Sequence, residues 1–211
     1  MFTHLEHRAA REASPVRLAD GTQVLIRELA NSDEDAIRAF YRGLSPSTLH
    51  RRFLSPYATL PDSMLRYLAA PGPDRYVVVA FHGAAIVGEA RVHRAGGSGG
   101  GEVAVVVADA WQGRGLGTEL VRRLLDLARA RGLTAFTGTL RADNGAALAL
   151  LTSMAPAADR RIRSGELEFR ARLPVSRAPV SGPCAGTGRS GGTSRVDPTR
   201  GRSSATSRID R

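Results

Sequence analysis

The chain has 211 residues, 42% of them apolar and 24% charged, with a formal net charge of +10, the profile expected of one soluble globular domain. Every basic residue other than histidine is an arginine, which excludes chemistry that needs a lysine: a Walker A phosphate loop, a pyridoxal-phosphate Schiff base, a class I aldolase. The single cysteine, Cys184, excludes an internal disulfide framework and a cysteine-based metal cluster and makes a reducing cytoplasm the expected setting.

The N-terminal MFTHLEHRAAREASP has no apolar h-region, and no apolar run approaches the ~18 residues of a membrane span, so neither secretion nor membrane insertion is expected. Residues 1–15 read as a flexible extension. Val24–Ile26, set between Asp20-Gly21 and Asn31-Ser32-Asp33, is a short β-rich run. Ser32 fits an N-cap, with Asp33, Glu34 and Asp35 in the first turn, and Ala36, Ile37, Phe40, Tyr41 and Leu44 recur at helical spacing up to Ser45-Pro46. Two further helices are predicted from Ser47 to Leu54, rich in arginine, and from Pro61 to Leu68.

Tyr76–Phe81 and Ala85–His93 read as a hairpin turning at His82-Gly83. A flexible loop follows over Gly96–Gly101, then Glu102–Ala108, a continuous apolar run expected to be a central strand buried on both faces. After the glycines at 113, 115 and 117, Leu116, Leu120, Val121, Leu124, Leu127 and Ala128 define one face of a helix, with Gly132 as its cap. Ala135–Leu140 is a strand, Asn144–Met154 a helix ended by Pro156, and Glu166–Leu173 a last, alternating strand. Residues 16–173 are therefore the expected folded domain, a mixed α/β sheet with a parallel crossover in its second half. Residues 174–211, made of Gly, Ser, Thr, Pro and Arg without an aromatic side chain, are expected to be a disordered tail.

Chemistry concentrates between Glu102 and Arg131. A strand runs into Trp111-Gln112-Gly113-Arg114-Gly115-Leu116-Gly117 and straight on into an amphipathic helix. Glycines there permit a tight turn and leave backbone N–H groups uncovered at the positive end of a helix, which suits a phosphate or pyrophosphate. A dinucleotide-binding turn of the pattern G-x-G-x-x-G would require glycine where Thr118 stands. A plain strand-to-helix connection also accounts for three glycines.

Gln112-x-x-Gly115-x-Gly117 after an apolar strand resembles the acetyl-CoA pyrophosphate loop of the GNAT (Gcn5-related N-acetyltransferase) superfamily. Asn144 with Ala147 and Leu150 resembles that family's Asn-led helix, and the order of elements from Val24 to Leu173 also matches. The resemblance implies the GNAT fold: an α/β (α+β) architecture whose mixed, mostly antiparallel sheet has a central parallel strand pair and is flanked by helices. Asp20–Arg27, the Leu44-Ser45-Pro46-Ser47 corner with Arg51-Arg52-Phe53, and Glu102 heading the apolar strand resemble the GNAT domain of bacterial protein-lysine acetyltransferases.

By this resemblance the backbone of Val105, Val106 and Val107 would hold the acetyl carbonyl and pantetheine arm. The N–H groups of Gly113, Arg114, Gly115, Leu116, Gly117 and Thr118, next to Gln112, would hold the pyrophosphate. Arg114 would screen its charge, and Asn144 would either cap its helix or bond the pantetheine. The implied activity is that of an acyltransferase: direct attack of a primary amine, a protein lysine among the candidates, on acetyl-CoA as cosubstrate. An amine with pKa ≈ 10.4 is mostly protonated at pH 7 and needs a base. Glu102 is the first candidate and Glu89 the second, each with the plain alternative of a solvated strand end.

Two departures stand against the family pattern. Leu151 occupies the position of the tyrosine that serves many members as general acid, and Ala155-Pro156 replaces Gly-Phe. They motivate an alternative, a non-catalytic GNAT domain that senses acetyl-CoA. The tail arginines, without interleaved aromatics, are not expected to bind nucleic acid specifically. His4 and His7 are too few for a metal site, so no metal is expected. The acceptor and the oligomeric state are not legible in the sequence.

Overall fold

The computed structural model describes residues 13–70, 72–94 and 99–173. The expected extension, apart from its last residues, the centre of the glycine loop, and the expected tail with Cys184 lie outside the described residues. Eight strands form one sheet in the order β1-β2-β3-β4-β5-β6-β8-β7. They are β1 (Ser14–Arg17), β2 (Gln23–Glu28), β3 (Arg75–His82), β4 (Ala85–Arg94), β5 (Gly100–Val107), β6 (Ala135–Arg141), β7 (Asp159–Arg163) and β8 (Glu166–Arg172). The helices are α1 (Glu34–Arg42), α2 (Pro46–Phe53), α3 (Asp62–Ala69), α4 (Leu116–Ala130) and α5 (Gly145–Met154). Neighbouring strands are antiparallel except β5 and β6, which are parallel and joined through α4.

Alternation along β3 explains the layering. Tyr76, Val78 and Ala80 join a core with Leu116, Leu120, Leu124 and Ala128 of α4, while Val77, Val79 and Phe81 face Ile37, Phe40, Leu49, Leu65 and Leu68 of the first three helices. The α4 contact is close: a Cβ at Gly88 of β4 would come within 2.8 Å of Leu120 Cδ1. Two strands carry no sequence signal. β1 has Val16 as its one large aliphatic residue and a proline, tolerated because the strand is at the sheet edge. β7, Asp-Arg-Arg-Ile-Arg, is exposed along its whole length, an edge protected by charge.

The expected cap at Ser32 is replaced by a short 3-10 turn over Asn31–Asp33, and α1 starts at Glu34. Asp33 causes this: its carboxylate accepts from Ala30 N at 2.8 Å and from both terminal nitrogens of Arg27 at 2.6 and 2.8 Å. A charged, forked bond outweighs a neutral serine cap. Gly100 and Gly101, expected in a loop, already belong to β5. The expectation that β5 is buried on both faces also needs correction: Glu102 is exposed, Val103, Ala104, Val105 and Val107 are half-buried, and only Gly101 and Val106 are enclosed. The reason is that β5 pairs with β6 only at Gly100, Gly101 and Glu102 before the two diverge.

A buried charge cluster ties the α1–α3 layer to the sheet. Glu89, 1% exposed, accepts from Tyr41 Oη at 2.7 Å and from Arg91 Nε, and Arg91 Nη2 donates to Leu68 O at 3.0 Å. Burial alone would raise the Glu89 carboxyl, but the charge and hydrogen bond of Arg91 outweigh it and hold the group below the usual glutamate range. Replacing Glu89 by Gln strands the Arg91 charge, and urea unfolding at pH 7 is expected to show a loss of about 3–5 kcal/mol. Because the folded-state value is depressed, the contribution of Glu89 is complete above the ordinary glutamate range and fades as pH falls through the lowered value. Below about pH 4.5 the wild type should therefore lose stability more steeply than Glu89→Gln; identical acid limbs would contradict the assignment.

Candidate active site

The divergence of β5 from β6 opens a gap in the sheet. Three cavities lie along it. The first, about 310 Å³, is lined by Val105–Val107 of β5, by Gln112, Gly113 and Gly115, by Leu116–Thr118 of α4, by Asn144, Ala147 and Leu150, and by Thr48, Arg51 and Arg52 of α2. A central chamber of about 100 Å³ shares Arg51, Arg52, Val105, Asn144, Ala147 and Leu150 with it and adds Val103, Thr139, Leu151 and Met154. The third, about 380 Å³, shares Thr139 and Phe169 with the chamber and is lined by Glu102, Thr137, Asp159, Arg161, Glu168 and Arg170.

Backbone direction in β5 follows from its pairing. Ala108 N donates to Val87 O at 3.0 Å, and in the register Gly88↔Val107 to Arg94↔Gly101 this makes 106/89, 104/91 and 102/93 the hydrogen-bonded pairs. The N–H and C=O groups of Val103, Val105 and Val107 therefore point to the opposite edge: those of Val103 still lie against β6, where a Cβ at Gly138 would come within 3.1 Å of Val103 O, and those of Val105 and Val107 face the gap beyond the last β5–β6 pair. The carbonyl of Val107 accepts from Gln112 Nε2 at 3.1 Å. Val105 presents a donor and an acceptor inside the first cavity and the chamber.

At the end of the strand, Gly113 (φ +75°) and Gly115 (φ +83°) adopt the left-handed conformation that disfavours other residues, and a Cβ at either would meet nothing within 4 Å. The result is an open cradle. The first N–H groups of α4, a helix of 15 residues, have no partner within the helix and sit at its positive end. This concave surface has the chemistry to hold a phosphate or pyrophosphate.

Helix α2 is pinned over the cradle by a polar network. Ser45 caps it, accepting from Thr48 N at 3.2 Å, with Pro46 as its first residue. Asp109 accepts from Ser45 N at 3.0 Å, Ser45 Oγ at 2.6 Å and Thr48 Oγ1 at 2.8 Å. Gln112 Nε2 donates to Thr48 Oγ1 at 3.1 Å as well as to Val107 O. Partial burial works against the Asp109 anion, but the bonds from Ser45 and Thr48 prevail and hold its carboxyl below the usual range. Asn144 Oδ1 accepts from Ala147 N at 3.2 Å, so the residue caps α5 while facing the first cavity.

The structure thus gathers Val105, Val106, Val107, Gln112, Gly113, Gly115, Leu116, Gly117, Thr118 and Asn144 around one cavity. It does not bring Arg114 there: its guanidinium pairs with Asp20 at 2.9 Å and lies over the Trp111 ring at 5.1 Å. Glu102 lies in the third cavity, at the far end of the row. Glu89 lines none of the three and has both oxygens engaged in the buried cluster. Sequence reasoning missed Thr48, Trp111 and the site role of Arg51 and Arg52; an arginine-rich helix opened by Ser-Pro was the available signal. Among the described residues no group of three or more His, Cys, Asp or Glu side chains is placed to hold a metal ion, and no helix is long and apolar enough to cross a membrane.

Residues 36–155 match the family model of the acetyltransferase (GNAT) family. The chain belongs to the GNAT family. A relative of this GNAT protein, Acetyltransferase PA5475 of Pseudomonas aeruginosa, is 35% identical over 120 residues, 54% of this chain and 64% of the relative, so the match spans somewhat less than two thirds of that protein. Among solved structures, the GNAT domain of S. lividans PAT is similar with a TM-score of 0.70 at 24% identity, covering 78% of this chain and 98% of that one. The YncA protein of Salmonella typhimurium, solved with its cofactor acetyl-CoA, is similar with a TM-score of 0.57 at 24% identity over 76% of this chain and 99% of that one. The mixed sheet with one parallel pair flanked by helices is the GNAT fold.

If the Asp109 network positions α2, Asp109→Ala should lower the unfolding free energy by about 1–3 kcal/mol. It should also accelerate amide hydrogen exchange selectively in Pro46–Phe53. Unchanged exchange in α2 would show that the helix is held by packing alone.

Proposed function

We propose that this GNAT domain transfers the acetyl group of acetyl-CoA to a primary amine by direct attack. The observation that carries this reading is the row of three cavities along the gap between β5 and β6, the middle one sharing wall residues with each of the others. At one end is an anion cradle, in the middle a free backbone donor at Val105, and at the other end a carboxylate, Glu102. A pyrophosphate matches the cradle because Gly113 and Gly115 leave their backbone open and α4 presents its N-terminal N–H groups. In this reading acetyl-CoA supplies the activated acyl group. The chain's own residues bind its phosphates at Gly113–Thr118 and orient its acyl end along Val105.

The acceptor enters through the third cavity. Glu102 at the head of β5 takes the proton of the ammonium. It lies three residues from Val105, about 10 Å along the strand at ~3.3 Å per residue, so the proton travels through a water molecule rather than by direct contact. Glu102 suits this work better than Glu89, whose carboxylate is enclosed and paired. Glu168 and Asp159 beside Arg161 and Arg170 give the entrance a mixed charge, compatible with an amine on a polypeptide. The resemblance to protein-lysine acetyltransferases favours a protein lysine. A chain without lysine cannot use its own side chains as acceptors of that kind.

Acetyl transfer from radiolabelled acetyl-CoA to a panel of amines and proteins tests the reading. Glu102→Gln should reduce kcat by about 10²- to 10⁴-fold and leave acetyl-CoA affinity within about twofold. Wild-type binding without transfer to any acceptor would instead establish a non-catalytic acetyl-CoA sensor, and full activity of Glu102→Gln would place the base elsewhere.

A further inference from the structure

The central chamber, where the acyl–sulfur bond would break, is lined among the described residues by no tyrosine, cysteine, histidine or carboxyl side chain. Leu151 lines the central chamber with Met154, Leu140 and Phe136, so α5 offers that space hydrocarbon and the Asn144 amide. Such a chamber opposes a developing thiolate, since desolvation penalises the charged form. The charged side chains that line it both come from α2: Arg51 and Arg52. Thr139 of β6 is the remaining hydroxyl.

The two arginines differ. Arg51 is exposed and fastened to its own helix, with Nε donating to Ser47 O and Nη2 to Ser47 Oγ, each at 3.3 Å. Arg52 is half-buried, its guanidinium lies over the adjacent Phe53 ring at 4.7 Å, and its Nε is buried without a hydrogen-bond partner. No carboxylate among the described residues lies within ion-pair distance of it. The nearby acid behind it, Glu89, is engaged by Arg91 and Tyr41. A guanidinium that lines the chamber, hydrogen-bonded to no carboxylate and acting only by its charge on the Glu89 and Tyr41 behind it, is an electrostatic partner for an anion that enters.

Building on the acetyl-transfer reading above, we propose that Arg52 stabilises the departing thiolate, supplying by charge what a proton donor on α5 would supply by protonation. In the step, the amine nitrogen bonds to the acetyl carbon, and the C–S bond breaks with its electron pair going to sulfur. One proton of the ammonium passes through water to Glu102 before the attack, the second leaves the nitrogen to water as the amide forms, and the thiolate takes a proton from solvent after release. A thiol of ordinary pKa about 8.5 beside an arginine ionises more readily. The groups that face the chamber and bear on this ionisation are Arg52 and Arg51 of α2, with the Glu89–Arg91 pair of β4 and Tyr41 of α1 behind Arg52.

The test is calorimetric and independent of turnover. The full chain is titrated at pH 7.5 with CoA and with acetyl-CoA, each in buffers of different ionisation enthalpy, to count protons released on binding. The two ligands share every phosphate, so their difference reports the thiol. A thiol lowered by one unit would release about 0.4 proton more for CoA than for acetyl-CoA. In Arg52→Gln that excess should disappear while acetyl-CoA affinity changes by less than about threefold, and Arg52→Lys should restore most of it. Equal release for the two ligands in the wild type, or an undiminished excess in Arg52→Gln, overturns the proposal; the wild-type comparison stands even if a variant does not fold. Failure of both ligands to bind would overturn the acetyl-CoA reading itself, a result distinguishable from either.

Discussion

Three residue pairs, Gly100↔Ala135, Gly101↔Phe136 and Glu102↔Thr137, hold β5 beside β6 before the strands separate, and the rest of the site depends on where that pairing stops. At the head of β5 the packing is tight enough that a Cβ on Gly101 would lie 2.5 Å from Val92 Cγ2. Farther along, the α5 residues Ala147 and Leu150 border the gap and the strand keeps one hydrogen-bonding edge free. A sheet strand with unmet backbone groups is costly in a dry core. Here the cost is contained because the free edge borders a cavity.

Electrostatics divides the α1–α3 side of the sheet into a closed region and an open one. Glu89, Arg91 and Tyr41 satisfy one another in the interior and anchor α1 and α3 to β4. Asp109, Ser45, Thr48 and Gln112 form a second network that anchors α2 to the end of β5. Between the two networks Arg52 lines the chamber, its Nε enclosed and without a hydrogen-bond partner. In a half-enclosed position a guanidinium without a carboxylate partner exerts more influence than one on the surface.

What could be read from the sequence followed from the strength of local patterns. The α4 face and the Gly113-Gly115-Gly117 turn depend on apolar spacing and on glycine, both local properties, and they appear where the pattern placed them. Asn144 was open between two roles and in the structure caps α5 at the cavity wall. Strands β1 and β7 were hidden because edge strands need little apolar burial. The half-open state of β5 was hidden for the opposite reason: Val103–Val107 would read the same whether β6 covered them or not. Arg52 could not be singled out from its neighbour Arg51 by type or spacing; only the packing of Phe53 and the exposure of Arg51 separate them.

Under the proposed acetyl transfer, the divergence of β5 from β6 forms the donor site, and amide NMR tests this directly. Titration of the labelled chain with acetyl-CoA should produce saturable shifts at Val105 and across Gly113–Thr118, with the Val105 amide protected from exchange once the site is filled. Saturable binding that leaves these amides unmoved and perturbs another surface would contradict the account.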